Sequence, residues 1–351
     1  MYCAGKCRKS GFTKNKKTRY RCLSCSKTFI RQKELPSTWK DFVDFYQLIK
    51  GQVNRKLLME KNDISRPTLN LRFKPFFDLP LSAEIVWNLL PPKLLSLNLN
   101  WVYGTDGKWL RRKGVIVNHR DVVNGENLWW SYHPSESYDA YHQDLLKLSA
   151  LLGDNHLPSG AISDWNGGGV AGVASHFGHI PHQRCLIHVL RTLKRLLPKH
   201  SPMLETRKLR SIAIEIINLK DETDVWNWQS KLIDWQMAYG HLLKVKTKSE
   251  NTKKKWWYTH GNLRRAWRLL TKDQDHFFVY LEYPLIPKDN NSLEGVNSQF
   301  KQKLGDHRGM KLPQQISFAF WYFTFSRVKK LSDLKKLWVG WKKTYNSKKA
   351  H

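Results

Sequence analysis

Three acidic residues far apart in the chain have the surroundings expected of carboxylates that bind metal ions for phosphoryl transfer. Asp106 follows an alternating apolar pattern, Asp164 follows a short apolar run, and Glu294 falls in the first turn of a predicted helix. Mg²⁺ and Mn²⁺ prefer oxygen ligands, and two such ions about 4 Å apart can activate an attacking oxygen and stabilise a leaving one. We therefore expect these acids to form a two-metal catalytic site. Asp121 is the alternative to Asp106, whose assignment depends on strand context and order.

The elements expected around these acids predict a mixed fold of the α/β (α+β) class. Strands are expected at 97–103, 115–123, 127–133 and 160–163, and a helix at 137–153. This order is typical of a ribonuclease H-like mixed sheet, whose first and fourth strands are neighbours. Asp106 and Asp164 would then meet. Residues 166–169, Asn-Gly-Gly-Gly, are expected to turn the backbone away from the site without crowding it.

Four cysteines near the start of the chain form a second group. Cys3 and Cys7, then Cys22 and Cys25, are two close pairs separated by fourteen residues, which matches a tetrahedral Zn²⁺ site with four thiolate ligands. So small and basic a segment lacks the apolar area to fold without its metal. A zinc ribbon is predicted over residues 1–33. The alternative is four unrelated thiols in a disordered basic tail.

A helical pattern follows the cysteines. Phe42, Phe45, Tyr46 and Ile49 recur at helical spacing before Gly51, and Ser65 is placed to cap a later helix. A helix-turn-helix DNA-binding domain is predicted over residues 39–80. An ordinary three-helix linker is the alternative, because this motif is weakly specified by sequence.

The charge balance restricts the class of partner. The chain has 60 Lys and Arg against 29 Asp and Glu, a formal net charge of +31 and a pI near 10.0. A polyanion such as nucleic acid is the expected partner. No apolar stretch approaches the roughly 18 residues of a spanning helix, and no charged-then-apolar leader is recognisable, so we expect a cytoplasmic protein without a membrane partner.

Two distant blocks give the chain a recognisable family resemblance. Gln183-Arg184-Cys185-Leu186-Ile187-His188 after Asp164, and Asn290-Asn291-Ser292-Leu293-Glu294-Gly295-Val296-Asn297 before His307-Arg308-Gly309, resemble DDE transposases of bacterial insertion sequences in the Mutator-like superfamily. The cysteine-rich start is similar too. The resemblance implies a ribonuclease H-like core in two parts, 95–197 and 285–351, separated by an all-helical insertion at 198–284.

The same resemblance implies an activity. A protein of this family binds double-stranded DNA at terminal inverted repeats and at a target, acts as a homodimer in the DNA complex, and is nucleoid-associated in the bacterial cytoplasm. It uses Mg²⁺ or Mn²⁺ to expose a 3′ hydroxyl that attacks a second DNA site, and its ribbon holds Zn²⁺. Two alternatives stay open: a non-catalytic, zinc-bearing DNA-binding regulator derived from a transposase, and a ribonuclease H-like nuclease without strand transfer.

Basic, aromatic and amide side chains are the expected DNA contacts, because they bind phosphates or stack on bases. Cys185 and His188 are included as groups that orient substrate or pack near the site. A second zinc site there is the weaker alternative, since structural zinc needs about four ligands and this pair supplies two. The helix that His188 begins can also be explained as an ordinary core helix. The expected DNA contacts are Arg19, Arg72, Lys74, Cys185, His188, Trp257, Arg264, Arg265, Arg268, Asn291, Asn297, Lys301, His307 and Arg308.

Overall fold

The structure, a computed structural model, describes residues 5–13, 18–30, 37–97, 100–178, 180–248, 255–307 and 309–350. They form two compact units, one within 5–48 and 52–78 and the other within 49–51 and 79–350. Cys3 and Arg308 lie outside the described residues. No described helix is both long and apolar enough to cross a membrane.

The first unit begins with a small antiparallel sheet. Its strands are β1 (Cys7–Phe12), β2 (Thr18–Cys22) and β3 (Thr28–Ile30), in the order β1-β2-β3. Cys7 pairs with Cys22 across β1 and β2. Cys25 lies in the tight turn after β2, where the Ser26 amide donates to the Cys22 carbonyl oxygen at 3.0 Å.

Three helices complete the first unit: α1 (Trp39–Lys50), α2 (Arg55–Asn62) and α3 (Arg66–Asp78). Thr38 and Asp41 cap α1 reciprocally, each side chain accepting from the other's amide at 3.1 Å. The Ser65 hydroxyl accepts from the Thr68 amide at 3.4 Å, as its predicted capping role requires. Phenylalanines on the buried faces of α1 and α3 then form the helical core: Phe42, Phe45, Phe73 and Phe76.

A five-stranded mixed sheet is the centre of the second unit. Its strands are β4 (Val102–Trp109), β5 (Val115–Asp121), β6 (Glu126–His133), β7 (Gly160–Ser163) and β8 (His182–Arg184). They lie in the order β6-β5-β4-β7-β8. The first three strands in sequence are antiparallel, whereas β7 and β8 continue the sheet parallel to β4. The predicted mixed α+β class is therefore confirmed.

Local signals account for the connections in this sheet. Gly125 has φ +71°, so the Asn124-Gly125 pair forms the β5–β6 hairpin turn as predicted. Helix α6 (Tyr138–Leu152) begins where the Ser137 hydroxyl accepts from the Ala140 amide, and it ends at Gly153 with φ +69°. This helix crosses over between β6 and β7, which sets β7 beside β4.

Two expectations for this region need correction. Leu97 ends a short helix, α5 (Lys93–Leu97), so the first strand begins at Val102; Asp106 lies on this strand, as predicted. Residues 167–169 open a helix, α7 (Gly167–Phe177), which Asn166 caps, instead of forming a turn. Gly168 is needed there for packing, because a Cβ would lie 2.7 Å from the Ser137 carbonyl carbon in front of α6.

The described part of the expected all-helical insertion contains helices and one pair of strands. Its helices are α9 (Leu204–Glu215), α10 (Glu222–Tyr239), α11 (Gly261–Thr271) and the short α12 (Val279–Glu282). The expectation is wrong at β9 (Lys246–Lys248) and β10 (Trp256–Tyr258), which pair antiparallel. Alternating Lys, Thr and aromatic residues favour strands there.

The remaining helices frame the insertion and the sheet. They are α4 (Ala83–Leu89), α8 (Leu186–Leu196), α13 (Asn291–Gly305), α14 (Leu312–Ser326) and α15 (Leu331–Ala350). The apolar face of α8 shares a buried core with α9, α10 and α11. On α14, Phe323 stacks on Trp130 of β6 with ring centroids 6.0 Å apart.

A buried carboxylate ties α6 to the sheet. Asp144 is 3% exposed, and nitrogen donors lie 2.9–3.1 Å from its oxygens. The nitrogen donors are His119, Trp129 and His133, and the Ser131 hydroxyl also donates to Asp144. His119 also bonds the Tyr103 hydroxyl at 2.7 Å, so the network reaches the strand that carries Asp106. Burial acts to raise the pKa of Asp144, but hydrogen bonds from these donors and the charge of His119 lower it below its ordinary value.

We predict that Asp144→Asn lowers the free energy of unfolding by about 3 kcal/mol at neutral pH, because buried donors lose a charged acceptor. Because the pKa of Asp144 is lower in the folded protein than in the unfolded chain, its ionised form stabilises the fold at pH values above the unfolded pKa of about 3.9. This stabilisation is lost as the pH falls through the folded pKa. The difference between the variant and the wild type should thus shrink below about pH 4. Denaturant unfolding across pH measures it. Asp139→Asn, exposed in the first turn of the same helix, is the control; an equal effect of both substitutions at pH 7 would contradict the prediction.

Candidate active site

The two predicted aspartates lie at corresponding places beside two neighbouring parallel strands, Asp106 on β4 and Asp164 directly after β7. Gly104 of β4 pairs with Ile162 of β7, and Asp106 and Asp164 each lie two residues further on. Side chains two residues apart on a strand point to the same face, so the register brings both carboxylates to one edge of the sheet. The Asn166 amide donates to Asp164 Oδ1 at 3.0 Å, which fixes this carboxylate at the start of α7.

Glu294 reaches the same edge from α13. Its helix is attached to β4 by two side chains: Asn297 donates through Nδ2 to Asp106 Oδ2 at 2.6 Å, and Asn290 donates to the Thr105 carbonyl oxygen at 3.4 Å. Glu294 lies in the first turn of α13, where the helix dipole favours a negative charge. Residues separated by nearly 190 positions in the chain are thereby brought together.

The other two acids contribute to the electrostatics of Asp106. Partial burial raises the pKa of Asp106 above its ordinary value, and the negative charges of Asp164 and Glu294 raise it further. The hydrogen bond from Asn297 and the charge of His188 act in the opposite direction. A positive charge placed near Asp106 would stabilise the ionised form of its carboxylate.

The three acids do not lie close enough for one ion to hold them all in this arrangement. Among the described residues, one group of three potential metal ligands is close enough: Cys185, His188 and Glu294. One ligand atom of each lies within 4.8 Å of the others. The cysteines of the β1–β3 sheet form no such set among the described residues either. A pair of ions about 4 Å apart spans a wider carboxylate set than one ion does.

Asp121, the alternative to Asp106, lies in a different environment. Asp121 is fully buried at the end of β5 and accepts from the amides of Val123 and Asn124, both at 3.0 Å. These bonds assign it to the hairpin turn, as is common for Asp before an Asn-Gly pair. Asp106 pairs with Asn118, three residues before Asp121 on β5, so the two acids lie at different levels of the sheet.

Two side chains of α8 contact Glu294. Arg191 donates through Nη2 to Glu294 Oε2, and His188 Nδ1 lies 3.3 Å from Oε1. His188 Nδ1 and Glu294 Oε1 are both buried and have no hydrogen-bond partner among the described residues. The arrangement leaves one carboxylate oxygen paired and the other without a donor.

Cys185 lies directly behind this pair. It is 0% exposed at the N-cap of α8, and its sulfur accepts from the Asn290 amide at 3.3 Å. Burial raises the pKa of its thiol to about 11. The side chain packs with Val102, Ile162 and Ile286, so its neighbourhood is apolar on one side and polar on the other.

Sequence reasoning missed two charged residues of the site. Arg191 continues the three-residue spacing of Cys185 and His188, and that spacing is a signal that was available. Glu136 follows β6 and receives a hydrogen bond from the Tyr141 hydroxyl at 2.7 Å. Burial raises the pKa of Glu136, and the charges of Asp164 and Asp106 raise it further, so it is a fourth acid near the site.

Trp165 was missed as well, although it follows Asp164 directly. Its φ of +71° is unusual for a bulky residue and costs about 1–3 kcal/mol in conformational energy. The Trp165 ring lies 4.3 Å from the His276 ring, centroid to centroid. Arg184 Cζ lies over the Trp165 ring, 5.7 Å from its centroid. Such a strained conformation persists only where surrounding contacts hold it, and here those contacts hold the backbone next to Asp164.

The expected DNA contacts fall into distinct environments. Cys185 and Asn297 are buried, and Cys185 packs beside the site, which is one of the two roles expected of it. Arg264 stacks on Tyr258 at 4.0 Å, and Lys74 pairs with Asp78. Side chains that are exposed and available to phosphates are Arg19, Trp257, Arg265, Arg268, Asn291 and Lys301. The partly exposed ones are Arg72, His188 and His307.

No family model matches the chain, and no curated protein matches it. What can be said of its activity therefore depends on the residues and their geometry.

We predict that Asn297→Ala weakens Mn²⁺ binding about tenfold, because a group that orients a metal-binding carboxylate is lost. Isothermal titration calorimetry with Mn²⁺ measures the effect. Asn291→Ala is the matched control, since Asn291 is exposed in the first turn of the same helix. Equal Mn²⁺ affinities for the wild type and both variants would show that Asn297 does not position Asp106 for a cation.

Proposed function

We propose that this protein is a DNA transposase that cleaves DNA strands at the ends of an insertion sequence and joins them to a target. The observation that supports the proposal most strongly is the common register of Asp106 and Asp164 on neighbouring parallel strands, with Glu294 attached beside them. A strongly cationic protein with such a cluster of acids binds a polyanion through its surface and reacts with it at the cluster. The strand order of the sheet supports a ribonuclease H-like core.

The residues present fit a pair of hard divalent cations. The donors of Asp106, Asp164 and Glu294 are all oxygen, and burial and mutual repulsion raise the pKa of Asp106, which a cation would offset. Glu294 Oε1 is buried without a hydrogen-bond donor among the described residues, as a ligand atom would be. Bound Mg²⁺ or Mn²⁺ would supply activation of the attacking oxygen and stabilisation of the leaving oxygen.

The chain's own groups have separate tasks around this centre. Asn297 orients Asp106 through its 2.6 Å hydrogen bond, and the Asn166 amide orients Asp164. Arg191 is 61% exposed in its side chain, so it can exchange Glu294 for a phosphate of bound DNA. The buried sheet behind Asp106 excludes water from one side of the cluster, which strengthens each charge interaction there.

The first unit has the features of a DNA-recognition region. In the proposal, Cys3, Cys7, Cys22 and Cys25 hold Zn²⁺ in a ribbon, and α1–α3 form a helix-turn-helix. The backbone at Gly5 passes close to Cys22, because a Cβ at Gly5 would lie 3.0 Å from Cys22 Sγ. We infer a homodimer on terminal inverted repeats, since one catalytic site must serve each end, and a location with the bacterial nucleoid in the cytoplasm.

We predict that Asp106→Asn, Asp164→Asn and Glu294→Gln each reduce cleavage on the order of 10³-fold or more while DNA binding is retained, because neutral amides are poor cation ligands. The substrate is a duplex carrying the inverted repeats that flank the coding region, and binding is measured by gel shift. Asp121→Asn is the matched control and should cleave normally per folded molecule. Cleavage lost in Asp121→Asn and kept in Asp106→Asn would contradict the assignment.

The same assay, given an excess of target duplex, separates the proposal from its alternatives. A transposase yields joined products of donor ends and target, whereas a nuclease yields cuts alone. A regulator derived from a transposase binds the repeats but cuts nothing under any metal condition.

A further inference from the structure

Three side chains from α8 and α13 converge beside the carboxylate cluster. Cys185 Sγ and one ligand atom each of His188 and Glu294 all lie within 4.8 Å of one another. Cys185 is the N-cap of α8, His188 lies in the first turn of that helix, and Glu294 lies in the first turn of α13. The hydrogen bond from the Leu186 amide to the Lys288 carbonyl oxygen, 3.0 Å long, holds the two helix starts together.

Two of the three ligand atoms are buried and face each other without a hydrogen bond. His188 Nδ1 and Glu294 Oε1 are 3.3 Å apart, and neither has a hydrogen-bond partner among the described residues. With metal–ligand bonds of about 2.0–2.1 Å, two ligands of a tetrahedral ion are separated by about 3.3 Å. The distance between these atoms is therefore that of an edge of such a site.

The chemistry of the three donors differs from that of the carboxylate cluster. Sulfur, nitrogen and oxygen together suit a borderline divalent ion such as Zn²⁺ or Co²⁺, whereas Mg²⁺ demands oxygen ligands. Three protein ligands leave a fourth tetrahedral position for water. The sulfur is already fixed, because it is fully buried and accepts from the Asn290 amide.

We propose that Cys185, His188 and Glu294 form a binding site for a borderline divalent ion, and that its occupation excludes Glu294 from the Mg²⁺ site. On binding, the sulfur–hydrogen bond of Cys185 breaks, its proton passes to the solvent, and a sulfur–metal bond forms. Arg191 keeps the second carboxylate oxygen of Glu294 occupied, so the ion takes the oxygen that the aspartate cluster needs. The inhibitory consequence rests on the proposed function, but the binding site does not.

The site is tested first by Co²⁺ titration of the full-length protein, monitored by the near-ultraviolet sulfur-to-cobalt charge-transfer band. The N-terminal cysteines contribute to this band as well as Cys185. We expect Cys185→Ser to lose only the contribution of Cys185, and His188→Ala to weaken Co²⁺ binding while the protein stays folded. His176→Ala is the matched control. His176, nine residues before Cys185, contacts His142 at 2.9 Å and is not one of the three proposed ligands, so this variant should titrate like the wild type. Identical titrations for the wild type, Cys185→Ser and His188→Ala would overturn the site.

Inhibition is tested on the same proteins with Mg²⁺ and flanking-repeat DNA. Each protein's cleavage with added Zn²⁺ is divided by its own cleavage without it, and we expect the wild-type ratio to fall well below the Cys185→Ser ratio. Equal ratios would overturn the exclusion of Glu294. If the cysteine-dependent band forms but no protein cleaves DNA, the proposed function fails and the site stands. If DNA is cleaved without that band, the function stands and the site fails.

Discussion

Repulsion between carboxylates held at one sheet edge is the constraint on which the rest of the second unit depends. The charges of Asp164 and Glu294 raise the pKa of Asp106, and those of Asp164 and Asp106 raise the pKa of Glu136, a fourth acid nearby. Left to themselves, like charges in a partly buried site would separate or take up protons. The protein instead places Asn297, His188 and Arg191 against them, each on a helix that is fixed elsewhere.

Rigid support prevents the acids from relaxing apart. The strand that carries Asp106 is paired on both sides, with β5 and with β7. The Asp144 network anchors the same strand through His119 and Tyr103. None of these contacts involves the carboxylate groups themselves, but together they fix the strands that set the separation of Asp106 and Asp164. Positioning of this kind is what pre-organised catalytic centres require.

Much of the sheet could be predicted because its signals are local. Residues 160–163 form a strand with the predicted bounds, and Ser137 and Gly153 bound α6 as their capping chemistry requires. The missed elements lack such signals. β8 is three residues long, too short for a periodic pattern, and β9 and β10 pair across a segment rich in Lys.

The site itself was predictable only in part, for a different reason. The acids could be proposed as a set from residue type and family resemblance, but their partners depend on pairings between distant segments. Arg191 meets Glu294 across 103 positions, and Asn297 meets Asp106 across 191. No sequence pattern reports such a contact, whereas a fold that places α8 and α13 beside β4 produces it directly. The burial of Cys185 belongs to the same class.

The central claim is that Asp106, Asp164 and Glu294 share hard divalent cations. Anomalous diffraction from crystals of the protein grown with Mn²⁺ and DNA tests it most directly. The account predicts manganese peaks within bonding distance, about 2.2 Å, of oxygens of all three carboxylates. Ordered Mn²⁺ elsewhere, with these three side chains bound only to protein groups, would contradict it.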